Sequence, residues 1–300
     1  MNEPNPKYET KLKIYKYGTL IYAILAIFAT AAAYILGAKE ESRYLSDTIF
    51  TYLFYCFIAL ASIFAISAIF GFKGHGISHG ERGESSRAPF LSSLLGAGAI
   101  CLIVTRISEI VKKADGSTPS LFDVLIILTA ASVVIYSLSE LFEFGESLTL
   151  IFGYLQILLC VLLISEFYLD HSVEMNAPIK LLTQFALASV ILGTLSDLRI
   201  LIDRSHAGFY LFTKICAIFI PISATVASLI EIFSDPEKYT VAYLAAPLFT
   251  LSYAIPSLVK LMKSKVVKTE SNEPNDESDR ISIDEIIEEI CDPNSTESDS

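Results

Sequence analysis

The chain alternates between long apolar blocks and short polar segments. Eight blocks are each about 20 residues long, the length that an α-helix needs to cross roughly 30 Å of hydrocarbon. They lie at about 19–38, 49–72, 90–111, 121–142, 148–168, 179–202, 209–233 and 241–262. A soluble amphipathic helix carries charge between its apolar stripes, whereas many of these blocks have no charge on any face. The pattern predicts an all-α membrane protein with eight transmembrane helices.

Composition supports this prediction and adds a distinct tail. The 300 residues are 53% hydrophobic with a mean hydropathy of +0.53, which is too apolar for a soluble domain of this size. The net charge of −11 belongs to residues 269–300, which hold twelve acids and one base, while residues 1–268 are neutral overall. We therefore divide the chain into a cytoplasmic N-terminal segment (1–16), an eight-span membrane domain (17–264) and an acidic cytoplasmic tail (265–300). The first apolar block has no cleavage site of the signal-peptide type after it.

Lysine and arginine in the short loops predict the orientation. With the N-terminus inside the cell, the inner segments hold thirteen of these residues and the outer loops hold six. Positive charge is concentrated on the cytoplasmic side of membrane proteins. This distribution favours a protein of the cell membrane with both termini in the cytoplasm.

Carboxylates recur at similar places in successive spans, which predicts an internal repeat. Near the outer ends of spans 3, 5 and 7 stand Glu109, Glu166 and Glu231, separated by 57 and 65 residues. Near the inner ends of spans 4, 6 and 8 stand Glu140, Asp197 and Ser257, separated by 57 and 60 residues. The period fits four parallel helical-hairpin repeats about an axis normal to the membrane.

The block around span 6 resembles a known group of proteins. Its segments EFYLD, MNAPIK and LSDLRILIDR are similar to the C-terminal half of uncharacterised multi-span membrane proteins of Gram-positive anaerobic bacteria. The matching residues are Asn176, Pro178, Lys180, Leu198, Arg199 and Arg204. Asp197 departs from the group, which has Glu there. The resemblance covers about a third of the chain and implies the topology without implying an activity.

Charged residues inside the spans are the candidates for a function. A charge in mid-bilayer costs about 2.5–3.5 kcal/mol on insertion scales, so such residues usually line a pathway or form pairs inside the bundle. The candidates for a solute or proton path are Arg106, Glu109, Glu140, Glu166, Asp197 and Glu231. Since most lie near span ends, where side chains reach water, interfacial anchoring is the alternative. Arg106 and Glu109 are three residues apart and are expected to pair on one helix face.

Other charged residues have simpler interpretations. Arg199, Asp203 and Arg204, together with Asp197, form a mixed-charge cluster at the inner end of span 6, which is either a cytoplasmic gate or a set of positive-inside anchors. Lys214 in span 7 invites comparison with a retinal-binding lysine, but it lies close to the span end, and the chain has eight spans and no Trp.

The remaining motifs argue against several chemistries. His75 and His79 stand in a glycine-rich loop at 73–87, which we expect to be mobile and solvated rather than a helix that presents both to a metal. No CxxC pair, HExxH motif or Walker-type loop is present in the sequence, and a basic nucleic-acid footprint is absent. We therefore expect neither an enzyme nor a cofactor.

The tail contains one amphipathic segment. Residues 269–280 are expected to be disordered, and Ser282 and Glu285 then form a capping box for a short helix at 282–291. Its apolar stripe comprises Ile283, Ile286, Ile287 and Ile290. This stripe is either a docking surface for a cytoplasmic protein or part of an inert solubilising tail.

Two functions remain open at this level. The first is a membrane protein that binds or transports a small solute, favoured by the recurrent carboxylates and by Pro221, Pro247 and Pro256 inside the spans. The second is a membrane scaffold or regulator that acts through the tail helix and the inner charged loops. Transport predicts a polar cavity that reaches toward mid-bilayer, and scaffolding predicts a tightly packed bundle. The oligomeric state does not follow from the sequence.

Overall fold

The described part of the chain forms eight α-helices and two short strands. The computed structural model describes residues 6–37, 45, 48–78, 89–112, 120–138, 145–170, 177–202, 206–234 and 242–268. The helices are α1 (Pro6–Gly37), α2 (Ile49–Gly71), α3 (Pro89–Lys112), α4 (Leu121–Leu138), α5 (Glu146–Leu169), α6 (Pro178–Leu201), α7 (Ala207–Ser234) and α8 (Ala242–Lys263). The strands are β1 (His75–Ser78), between α2 and α3, and β2 (Lys265–Lys268), after α8.

All eight helices contain a stretch long and apolar enough to cross a membrane. This confirms the predicted all-α architecture, and it is the architecture of a multi-pass membrane protein. The helix ends mostly fall within a few residues of the predicted ones. The exception is α1, which begins at Pro6 rather than near residue 19 and so includes the four lysines of the N-terminal segment. Lysine and glutamate are good helix formers, so the apolar span continues into a polar first section without a break.

The helices pack as a ring with a second layer beside it. In the ring, α3, α4, α5, α6 and α8 each contact the next helix, and α8 also contacts α3. Helix α7 contacts α6 and α8 on one side and α1 and α2 on the other. Both helices of each predicted hairpin contact each other, while their arrangement as repeats remains a prediction.

Small residues let the helices approach closely where the ring closes. A Cβ atom on Gly98 of α3 would lie 2.1 Å from the hydroxyl oxygen of Ser252 and 3.1 Å from the Cα atom of Phe249. Both of these atoms belong to α8. Only glycine therefore permits this approach of α3 to α8, a form of contact that is common between helices in membranes.

The two strands join distant parts of the chain at one end of the bundle. β1 pairs with β2, and the Lys16 ammonium group donates to the carbonyls of Met262 at 2.8 Å and Ser264 at 2.6 Å. The His75 ring lies 3.8 Å from the ring of Tyr8, between centroids. The prediction of a mobile loop is therefore wrong for His75–Ser78, because β2 supplies hydrogen bonds that no local pattern reveals. We call this end of the bundle, with the start of α1 and both strands, the strand end.

Candidate functional site

The opposite end of the bundle is organised around one arginine. Arg106, near the end of α3, hydrogen-bonds to Glu109 at 3.1 Å and to Glu166 on α5, and its Nη1 atom lies 3.6 Å from Oδ1 of Asp123 on α4. We call these four residues the arginine cluster and this end the arginine end. One guanidinium group thus holds three helices together through three carboxylates.

Hydrogen bonds at the start of α4 and the end of α5 fix the positions of Asp123 and Asp170. Asp123 accepts hydrogen bonds from the backbone N–H and the hydroxyl of Ser120, which caps the start of α4. Asp170, just after α5, accepts a hydrogen bond from the Tyr243 hydroxyl of α8. Its backbone carbonyl accepts a hydrogen bond from the Lys180 ammonium group of α6. The carboxylates at this end therefore have defined positions instead of sampling solvent.

A cavity of about 110 Å³ lies beside the arginine cluster. Its lining includes Arg106, Glu109, Glu166, Asp170 and Tyr243, with Leu102 and Leu163 on its apolar side. Its lining on α3 runs from Leu102 to Glu109, so the cavity extends about 10 Å along that helix, about a third of the thickness of a hydrocarbon core. The cavity is thus polar at its mouth and apolar at depth.

The bundle is closed between this cavity and the strand end. The next residues of α5 and α8 in that direction include Leu159 and Phe249, both fully buried. They belong to one apolar cluster with Ala130, Val133, Leu187 and Val190. Interiors packed in this way exclude water, so the cavity ends at a dry core.

A second polar group lies beyond this core, toward the strand end. The Lys214 ammonium group of α7 donates to the Asp197 carboxylate of α6 at 2.8 Å and to the Tyr253 hydroxyl of α8 at 3.0 Å. The Ser257 hydroxyl and the Gly193 carbonyl oxygen lie at 3.4 Å and 3.5 Å from the same nitrogen. We call these five residues the lysine site. Four oxygen atoms surround an ammonium group that has three protons to donate.

Burial makes this site energetically demanding. The Lys214 side chain is fully buried, and that of Asp197 is 13% exposed. Removing two charges from water costs several kcal/mol per ion, and their attraction compensates only when good hydrogen bonds complete the pair. The ring of Tyr210, with its centroid 5.7 Å from the Lys214 nitrogen, adds a cation–π contact. The lysine site is therefore a fully coordinated ammonium-binding site, occupied by the chain itself.

Polar side chains continue from the lysine site toward the centre of the ring. Next to Gly193 on α6, the hydroxyl of Thr194 accepts a hydrogen bond from the Gln156 side chain of α5 at 3.1 Å. Gln156 is fully buried, and its Oε1 atom has no hydrogen-bond partner among the described residues. A buried acceptor without a donor is costly, so this atom is a place where a donor group of a ligand would be stabilised.

The structure brings some of the predicted site residues together and separates others. The pairing of Arg106 with Glu109 is confirmed, and Glu166 joins them. Asp197 pairs with Lys214, and Arg199 lies 5.3 Å from the ring of Phe209, because residues two apart on a helix face different directions. The cluster of these two residues with Asp203 and Arg204 stays a prediction, since the last two lie outside the described residues.

Other predicted residues cannot be compared in the same way. Glu231 lies half-buried in the last turn of α7, where it has interactions of its own. The remaining candidates lie outside the described residues, namely Glu140, Asp203, Arg204, His79 and the tail stripe Ile283, Ile286, Ile287 and Ile290. Within the described ranges, no group of three or more His, Cys, Asp or Glu residues is placed to hold a metal ion.

The sequence interpretation missed the lysine site because it compared Lys214 only with a retinal-binding lysine. A usable signal was present in the spacing of three consecutive spans. Gly193 and Asp197, Tyr210 and Lys214, and Tyr253 and Ser257 are each four residues apart. Residues at that spacing share a helix face, so three successive spans each present one polar face.

Known proteins do not add a function to this geometry. Neither protein-family models, nor curated proteins, nor solved structures match the chain. The charges, distances and burial of the two polar sites are therefore the observations that bear on the function.

Proposed function

We propose that this protein transports a small, positively charged solute across the membrane and first binds it in the cavity at the arginine end. The observation that supports this most directly is an excess of negative charge around a partly open cavity. Glu109, Glu166 and Asp170 line it, and Asp123 contacts the same guanidinium group. Against these four carboxylates stand only Arg106 and Lys180 in the contacts described above. A cleft with low-dielectric walls and excess negative charge concentrates cations.

The size of the cavity limits the solute. An apolar cavity of about 150 Å³ holds a benzene molecule, so a cavity of about 110 Å³ holds a solute of only a few non-hydrogen atoms. Small ammonium and guanidinium cations have this size. Their N–H groups match the carboxylate and hydroxyl acceptors at the mouth, and their short apolar parts match Leu102 and Leu163.

The remaining parts of the proposal concern orientation and topology. The excess of lysine and arginine on the strand-end side of the chain supports a cytoplasmic strand end and an arginine end outside the cell. We further propose that the four hairpins are parallel repeats. Equivalent positions of the repeats support this, since they meet the same residue. Glu109 and Glu166 both contact Arg106. Asp197 and Ser257 both approach Lys214.

The test is uptake of radiolabelled guanidinium by proteoliposomes that contain the purified protein. Guanidinium is a suitable probe because it stays charged at every working pH and crosses a bare bilayer poorly. We expect uptake well above that of protein-free liposomes. Substitution Glu166→Gln removes a carboxylate from the cavity and is expected to lower the apparent affinity about tenfold, the effect of losing one charge-assisted hydrogen bond.

The matched control is Glu146→Gln, which removes an exposed carboxylate from the first turn of the same helix at the strand end. Its uptake should equal that of the wild type. Uptake that is no greater than in protein-free liposomes would contradict transport of this class of cation. In that case the scaffold hypothesis would gain, and deletion of residues 280–292 would test it.

A further inference from the structure

We propose that the lysine site is a second binding site for the same cation, and that Lys214 occupies it only while the solute is absent. This inference rests on the proposed function and specifies how the solute leaves toward the strand end. Lys214 then acts as a tethered substitute for the solute.

The chemistry of the lysine site suits a free cation. The Lys214 ammonium group has a carboxylate at 2.8 Å, a tyrosine hydroxyl at 3.0 Å and two further oxygen atoms at 3.4 and 3.5 Å. Nothing in these contacts recognises the aliphatic part of lysine. Any small ammonium or guanidinium cation would find the same acceptors and the same aromatic face of Tyr210.

The lysine site also lies on the far side of the dry core from the cavity. It lies on α6, α7 and α8, and α8 also supplies Tyr243 to the cavity at the arginine end. Tyr243 and Tyr253 are ten residues apart, about 15 Å along one helix. Between the cavity and the lysine site stands Gln156, whose buried Oε1 atom has no partner among the described residues. A cation that crosses the dry core would meet this acceptor before it reaches Asp197.

Lys214 balances the charge of Asp197 in the empty protein. Without a cation, the nearly buried Asp197 carboxylate would lose the ammonium group that lies 2.8 Å from it, and losing one partner of such an ion pair is strongly unfavourable in a bundle interior. With Lys214 in place, the empty site is neutral. The protein can then return to the state in which the cavity at the arginine end is open. When the solute binds Asp197, the Lys214 side chain must move toward water. It lies seven residues from the start of α7 at the strand end, where a long side chain can reach the interface.

The test separates net uptake from exchange. Net uptake into empty proteoliposomes requires the empty protein to return, whereas exchange of external labelled guanidinium for internal unlabelled guanidinium does not. The membrane potential is held constant in both assays by potassium and valinomycin. Substitution Lys214→Met keeps the volume of the side chain and removes its charge. We expect net uptake to fall by at least about tenfold, because the Asp197 carboxylate of the empty site then lacks the ammonium group of Lys214, while exchange stays within about twofold of the wild type.

Two further variants keep the test decisive. Asp197→Asn should abolish both net uptake and exchange, since the carboxylate is the proposed ligand. The double variant Asp197→Asn with Lys214→Met removes both charges of the ion pair and should fold well, yet it should also lose both activities. Size-exclusion chromatography establishes that each variant is monodisperse before transport is measured.

The outcomes distinguish this inference from the proposed function. If Lys214→Met lowers net uptake and exchange equally, Lys214 is structural and the inference is overturned while transport stands. Activity of the double variant in exchange would likewise overturn it, because Asp197 would then not bind the solute. If the wild type moves no guanidinium in either assay, the proposed function fails and this inference fails with it.

Discussion

The arginine cluster and the lysine site solve the same problem in different surroundings. In the arginine cluster one cation serves three carboxylates, and the four side chains are 15–31% exposed. In the lysine site one cation serves one carboxylate, and the exposures are 0% and 13%. At the first site, water and counterions screen the excess negative charge. At the second site, burial makes an excess of either charge costly, so the site must be nearly neutral. The difference shows that access to water sets how many charges of one sign a site can hold.

The most direct test of this difference measures how well a water-soluble reagent reaches each of the two sites. Thr105 lines the cavity, and Thr194 is fully buried next to the lysine site. Each is replaced by cysteine in turn. In a background without native cysteines, we expect a membrane-impermeant maleimide added to intact cells to label Thr105→Cys almost completely and Thr194→Cys hardly at all. Mass spectrometry measures the labelled fraction.

The same measurement tests the orientation. Labelling of Thr105→Cys only in inverted vesicles would place the arginine end in the cytoplasm and reverse the proposed topology. Labelling of both positions to the same extent would show that the core between the two sites is not dry.

The next largest effect is on stability at the lysine site. Asp197→Asn leaves a buried ammonium group without its counter-ion, and breaking a buried pair in this way costs about 3–5 kcal/mol. The double variant with Lys214→Met should recover most of this loss, because both charges are then absent. The measurement is unfolding in mixed detergent micelles followed by circular dichroism, which suits a chain without Trp. Additive effects of the two substitutions would show that the residues are not coupled.

A smaller effect is expected at the arginine cluster. Arg106→Gln removes the partner of three carboxylates, but these are partly solvated, so we expect a loss of about 1–2 kcal/mol. Added salt should reduce the difference from the wild type, since it screens the carboxylates from each other. The same unfolding assay at low and high ionic strength measures both quantities. A loss as large as that of Asp197→Asn, unaffected by salt, would mean that this cluster is as dry as the lysine site.

The spans were predictable because their signal is local. The block at 49–72 corresponds to α2 (Ile49–Gly71), since a run of apolar residues fixes the helix without reference to its neighbours. The pairing of Arg106 with Glu109 was predictable for the same reason, as both residues lie on one helix. Glu166 was predicted as a path residue, but its contact with Arg106 joins two helices and lies outside any local pattern.

The sites that join several helices could not be predicted from a single pattern. Tyr253 reaches Asp197 and Lys214 because Gly193 has no side chain, since a Cβ atom there would lie 2.7 Å from the tyrosine hydroxyl. The pairing of β1 with β2 likewise depends on the whole bundle bringing residues 75 and 265 to the same end. In physical terms, the sequence determines these contacts only through the packing of all the helices.

The central position of α7 bears on how the protein is made. In the described residues, the substantial contacts of the α1–α2 hairpin beyond itself are with α7, with a smaller contact between α1 and α8, and the strand that completes the sheet follows α8. During synthesis the first two spans therefore lie in the lipid without these packing partners until the last two spans leave the ribosome. Full assembly can begin only near the end of translation, so a truncated chain that lacks α7 and α8 would leave its first hairpin unassembled and exposed to quality-control proteases.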